Sequence, residues 1–220
     1  MFVIYSGEVA EVVNEGPVTT YGPNDMVLDN WGSVSRWTAR APVTSRGPSG
    51  IGFVQFAELG TLRIEAPVET FGVAARGFNV YDGRLREASF ASITTHADAG
   101  VGIQVSRPVD RLRVDGDVRT SGGIGQSLVK GHVVPLPAYA VSIQHGGDVG
   151  ELSIGGSLIT EGDDVITLQV QGRIGRIDVG GSVSAAGTGA EPVAVDGGTA
   201  DLSGITIASQ AQAGGGSGRS

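Results

Sequence analysis

Every twenty-fifth residue of this chain repeats its chemistry. Val18, Val43, Val68, Ile93 and Val118 stand 25 residues apart, and after one 15-residue insertion the series resumes at Leu158 and Val183. A second apolar column runs Val12, Trp37, Leu62, Leu112, Leu152, Ile177 and Leu202, and a third Leu28, Phe53, Phe78, Ile103, Ile143, Leu168 and Val193. A fixed short period over most of a chain marks stacked repeats, each burying its apolar face against its neighbours.

Within one period the pattern is that of strands. Gly150 to Thr160 places apolar residues at alternate positions, and Val165 to Val170 continues after a turn. Gly, Asp and Asn break the runs, as turns require. Thirty-seven glycines and only 5% aromatics favour short strands and tight turns over helices, while 40% hydrophobic residues suffice for a core. The fold expected is all-β, a right-handed parallel β-helix (β-solenoid) of about 25 residues per coil and about eight coils. At about 4.8 Å per coil the rod is about 38 Å long. Coils of this length with three unequal turns resemble the right-handed pectate-lyase-like superfold over residues 9 to about 207. The resemblance rests on repeat length and strand pattern, so it implies the fold and carries over no catalytic position.

One domain is expected over 1–208, with a loop insertion near 123–137. Residues 209–220 form a Gly/Ser-rich tail, read as disordered and as a cloning remnant. The insertion holds Lys130, His132 and Pro135-Leu136-Pro137; a long loop on one coil of a solenoid is more often functional or interfacial than neutral. The register also fails in the fourth coil. There Leu85 and Phe90 miss the columns set by Leu62 and Ile64, and Glu87 falls at a core position unless a local bulge or deletion turns it outward.

Several classes are disfavoured. Without cysteine there is neither a disulfide framework nor a thiolate metal site, and His96, His132 and His145 have no ligand spacing. Asp25 and Asp163-Asp164 lack a calcium-loop pattern, so neither metal nor cofactor is expected. A net charge of −8 argues against nucleic acid. No membrane span and no signal peptide are read, so the location expected is cytoplasmic, or extracellular if the chain is a fragment of a secreted parent.

Three surface features are candidates for chemistry. Beside the third column, the next residues are expected to face outward: Asp29, Val54, Asn79, Gln104, Gln144 and Gln169. Two steps further stand Trp31, Phe56 and Tyr81. Three aromatics beside an amide ladder would form a platform for sugar rings, although such ladders also stabilise solenoids without a ligand. The turn between the second and third strands brings together Asp25, Arg46, Arg76, His96, Asp98 and Lys130. There His96 or Lys130 would abstract a proton and Arg46 or Arg76 hold a carboxylate, unless the turn is merely solvated. The first strand carries Arg36, Arg63, Arg111, Arg113 and Arg176, interleaved with Glu11, Glu65, Asp115, Glu151 and Asp178. Pairing across coils explains this stripe better than binding of an anionic polymer. Thr20, Thr70, Thr95, Thr120 and Thr160 are read as strand-end residues whose methyls pack and whose hydroxyls cap a turn.

Three functions follow. The first is a carbohydrate-binding or carbohydrate-modifying protein, of lyase, hydrolase or epimerase type if catalytic. The second is a non-catalytic structural or adhesin-like solenoid. The third is a cytoplasmic isomerase or cyclase for a small molecule. The partner expected is a glycan or small anionic ligand. Both ends of a solenoid expose unpaired strand backbone, so a homo-oligomer, packed laterally or end to end, is expected as well.

Overall fold

The computed structural model describes residues 1–129 and 132–208; Lys130 and the tail 209–220 lie outside the described residues. Apart from one antiparallel hairpin, the described strands assemble into three long parallel sheets, each taking one strand per coil, except that in the last coil sheet 1 continues only as the bridge of Thr199 to Arg173. Sheet 1 contains the seven-residue strands Glu8–Asn14, Ser33–Ala39, Glu58–Ile64, Arg84–Phe90, Pro108–Val114, Asp148–Ile154 and Arg173–Val179. Sheet 2 contains the three-residue strands from Val18–Thr20 to Val183–Ala185, and then Ile207–Ala208. Sheet 3 opens with Phe2–Val3 and continues with five-residue strands from Met26–Asn30 to Glu191–Val195. The described residues contain no helix, and hence none long and apolar enough to cross a membrane.

The 25-residue period sets the register. Val43 pairs with Val18 and Val68, Leu62 with Trp37, and Phe78 with Phe53 and Ile103. Like therefore stacks on like, and one continuous core runs the length of the rod. In sheet 3 a Cβ on Gly77 would collide with Ile93 across the core, while Phe78 also packs inward, 4.8 Å from the Phe90 ring. Two consecutive inward positions bend the strand there. Asn30 and Gln55 are buried beside this bend, their amides joined by a 3.0 Å hydrogen bond.

Both irregularities of the repeat have a local solution. Arg84 pairs with Glu58, 26 residues earlier, because the turn gains one residue at Asp82-Gly83; Phe90 to Ile93 then takes three steps where Ile64 to Val68 takes four. Ala88 replaces Glu87 in the core column, and Glu87 points out to an ion pair with Arg111. The 15-residue insertion is split in two. Thr120 to Tyr139 spans 19 steps where Thr95 to Val101 spans six, and Ile143 to Asp148 spans five where Val105 to Pro108 spans three. Ile103 consequently pairs with Val141, so Ile143 does not occupy the column assigned to it but the next, beside Val105. The larger part of the insertion is an antiparallel hairpin, Gly125–Val129 with His132–Leu136. Ser127 on it is buried, while Gln126 and Val133 face solvent.

Thr70, Thr95 and Thr120 lie wholly inside the rod, where their methyls pack but their hydroxyls find no partner. Turn capping is thus not their role. Thr20 and Thr160 depart from this: the half-buried Thr20 donates to the Ser45 hydroxyl at 3.4 Å, and Thr160 shares a 2.7 Å hydrogen bond with Thr167.

Candidate functional site

Sheet 3 carries the amide column, but not as an exposed ladder. Val54, Asn79 and Ser142 are completely buried, and Asp29, Gln104 and Gln169 only partly exposed. Neither amide atom of Asn79 has a hydrogen-bond partner. Gln144 is displaced by the split insertion: Ser142 takes its place beside Gln104 and Gln169, and Gln144 donates to the Ser142 Oγ from the corner at 2.6 Å. Ser142 donates in turn to the Gln169 Oε1 at 2.7 Å, and the Gln169 amide reaches the Tyr139 hydroxyl at 3.3 Å. Burial raises the Tyr139 hydroxyl above the ordinary tyrosine range, and it raises the half-buried Asp29 carboxyl likewise.

Arg76, expected in the turn line, opens the strand Arg76–Val80 and is almost wholly buried. Its guanidinium donates from Nε to the Gln104 Oε1 at 3.1 Å and from one terminal nitrogen to the Ala74 carbonyl at 3.2 Å. It is a strut between coils and holds no free fork for a carboxylate.

Trp31, Phe56 and Tyr81 do meet on the surface, one per coil. Trp31 lies 3.9 Å from Phe56 with planes 19° apart, and Phe56 lies 5.2 Å from Tyr81 with planes 2° apart. The rings stack along the rod axis, so each covers its neighbour. Both faces of Phe56 are taken by its neighbours, whereas Trp31 and Tyr81 each have one face outside the stack. Trp31 also borders a shallow hollow lined by Tyr5, Glu8, Ser33 and Glu58. The sequence gives no sign of this hollow, because Tyr5 and Glu8 precede the first full period.

The turn line is a second stack. Phe71 lies face to face with His96 at 4.4 Å and 9°, and the Arg46 guanidinium sits 4.6 Å above the Phe71 ring. The imidazole Nε2 is 3.7 Å from Glu69. This ladder is legible in the sequence as Arg46, Phe71 and His96 at 25-residue spacing, one step beyond the threonine column. The acids of the same corner hold backbone: Asp25 accepts from the Gly22 N–H at 2.7 Å, Asp98 from the Gly123 N–H at 2.8 Å, and Asp163 from the Thr188 N–H at 2.7 Å. The corner itself is built on left-handed residues, among them Asn24, Ser49, Ala74 and Ala99.

The arginine stripe pairs across and along coils as its spacing suggests. Arg36 meets Glu11 at 3.0 Å, Arg113 meets Asp115 at 2.6 Å, and Arg63 lies 3.9 Å from Glu65. Among the described residues no three His, Asp or Glu side chains converge as a metal site.

Sheet order, register and period define a parallel β-solenoid. No family model, curated protein or solved structure matches the chain.

Proposed function

We propose that this chain is a non-catalytic structural solenoid, whose surface polar groups hold successive coils in register. One observation carries the reading: each described residue of the candidate catalytic line already serves a structural contact. Arg76 spans two coils, Arg46 and His96 flank Phe71, and Asp25 and Asp98 hold turn amides. The reading is supported further by where the one imidazole–carboxylate neighbour pair of this corner stands, since His96, 3.7 Å from Glu69, is stacked face to face on Phe71.

The test is a turnover screen with polyuronate lyase, glycoside hydrolase and sugar epimerase substrates, run beside melting curves. His96→Ala and Asp98→Ala are expected to lower the melting temperature of a chain that turns over none of the substrates. Turnover abolished by His96→Ala with an unchanged melting temperature overturns the proposal.

A second reading is carbohydrate binding without catalysis at the hollow beside Trp31. Tyr5 and Trp31 supply apolar surface there, and Glu8, Ser33 and Glu58 supply acceptors for hydroxyls. Glycan-array binding lost in Trp31→Ala, with the fold retained, would establish it; an empty array excludes it.

A further inference from the structure

Trp31 has one face on Phe56 and the other turned toward the first coil, where Tyr5 and Glu8 line the adjoining hollow. Along this hollow Glu8, Ser33 and Glu58 form one column of sheet 1, paired in register from coil to coil. Stacked strands set the two glutamates about 10 Å apart at the backbone, with only the short Ser33 side chain between them. Neighbouring acids are neutralised by arginine, as Glu11 is by Arg36 and Asp110 by Arg84. Glu8 and Glu58 are different. Among the described residues neither enters an ion pair, and Arg84, which follows Glu58 in the column, turns to Asp110 instead. No lysine or arginine among the described residues lines the hollow, so its charge is that of two bare carboxylates beside an aromatic face.

From this arrangement we infer that the hollow takes a saccharide with a free amine, a hexosamine unit whose nitrogen is unsubstituted. The inference rests on the carbohydrate reading above and narrows it. The sugar ring lies on the open face of Trp31, its ammonium stands between Glu8 and Glu58, and the Ser33 hydroxyl meets a ring hydroxyl. An ammonium brings three donors and a full charge to the two carboxylates, and the aromatic face favours the same sign. An acidic sugar would set its charge against both glutamates, on a chain of net charge −8. The hollow measures about 360 Å³, within the range of small-ligand sites, about 300–1,000 Å³. Beyond Glu58 the surface changes sign: the next hollow shares Ser33 and Glu58 but ends on the exposed Arg86, which confines the amine to the Trp31 side.

The two tryptophans of the chain make the test local, because Trp31 borders the hollow and Trp37 is wholly buried. The full-length chain is titrated with a glucosamine trisaccharide and with its N-acetylated form, which keeps the sugar skeleton and removes the charge, while the indole N–H resonances are followed by NMR. The amine form is expected to shift the Trp31 resonance, leave that of Trp37 in place, and bind at least about tenfold more tightly than the acetylated form. Glu8→Gln combined with Glu58→Gln is expected to erase that preference with the strand signal in circular dichroism unchanged. Equal binding of the two trisaccharides at Trp31 overturns the inference and leaves the carbohydrate reading standing, whereas binding of neither overturns both. A preference for the amine form that survives the two glutamines also overturns the inference, since the charge would then be read elsewhere.

Discussion

The indole of Trp31 lies 3.9 Å above the ring of Phe56, which in turn stacks on Tyr81, so the central ring is covered on both faces. Phe56 is thus a packing residue although it sits outside the core. Phe56→Ala is expected to destabilise the chain by about 2 kcal/mol, lowering the melting temperature by about 4–8 °C. Calorimetry checks this. Loss of less than 1 °C would mean that the stack contributes nothing beyond its exposed edges.

The turn before the strand Arg84–Phe90 accommodates its extra residue through Gly83, which has a φ of 73° and sits where a Cβ would overlap the Ala57 carbonyl oxygen. Gly83→Ala meets both the left-handed penalty and this collision. A cost of at least about 2 kcal/mol is expected, read as a shift in the urea midpoint at unchanged slope. An unshifted midpoint would show that the fourth coil accommodates its extra residue in some other way.

These two sites mark the reach of sequence reading. Columns of sheets 1 and 2 are legible because coils of equal length put like residues at a fixed interval, and Trp31, Phe56 and Tyr81 fall together for that reason. Ile143 and Gln144 shift because an insertion can be shared between two corners, which leaves the total length, and hence every later column, unchanged. Ring orientation is not encoded in spacing at all: three aromatics 25 residues apart offer a platform or a closed stack according to χ angles. Nor is exposure, since Asn79 alternates outward yet is enclosed. His96 was legible as a titratable group in a turn, but its role comes from Phe71, a hydrophobic residue outside every core column.

Asn79 gives the sharpest stability test. Its amide is buried with neither atom hydrogen-bonded, and an unmade hydrogen bond in the interior costs more than a made one returns. Replacement by an apolar residue of similar size removes that cost. Asn79→Leu is expected to stabilise the chain by about 1 kcal/mol, raising the melting temperature by about 2–4 °C. A lowered melting temperature would reveal a partner for the amide in solution.

Asp29 links the same outer face to pH. Burial holds its carboxyl above the ordinary carboxylate range, and one of its oxygens is enclosed without a partner. The folded chain therefore binds this proton more tightly than the unfolded chain does. The resulting stability is present in full below the unfolded carboxylate pKa and is lost as pH rises through the higher folded value. Above both values the folded state carries the cost of a poorly solvated charge, which Asp29→Asn removes. Because the group is only half-buried, solvent screening keeps the gain small, about 1–2 °C in melting temperature at pH 7. The advantage should shrink as pH falls through the carboxylate range, until at low pH the variant and the parent melt together. Parallel melting curves from pH 3 to 7 in steps of about half a unit resolve the convergence. A difference that does not vary with pH would assign the effect to packing and not to charge.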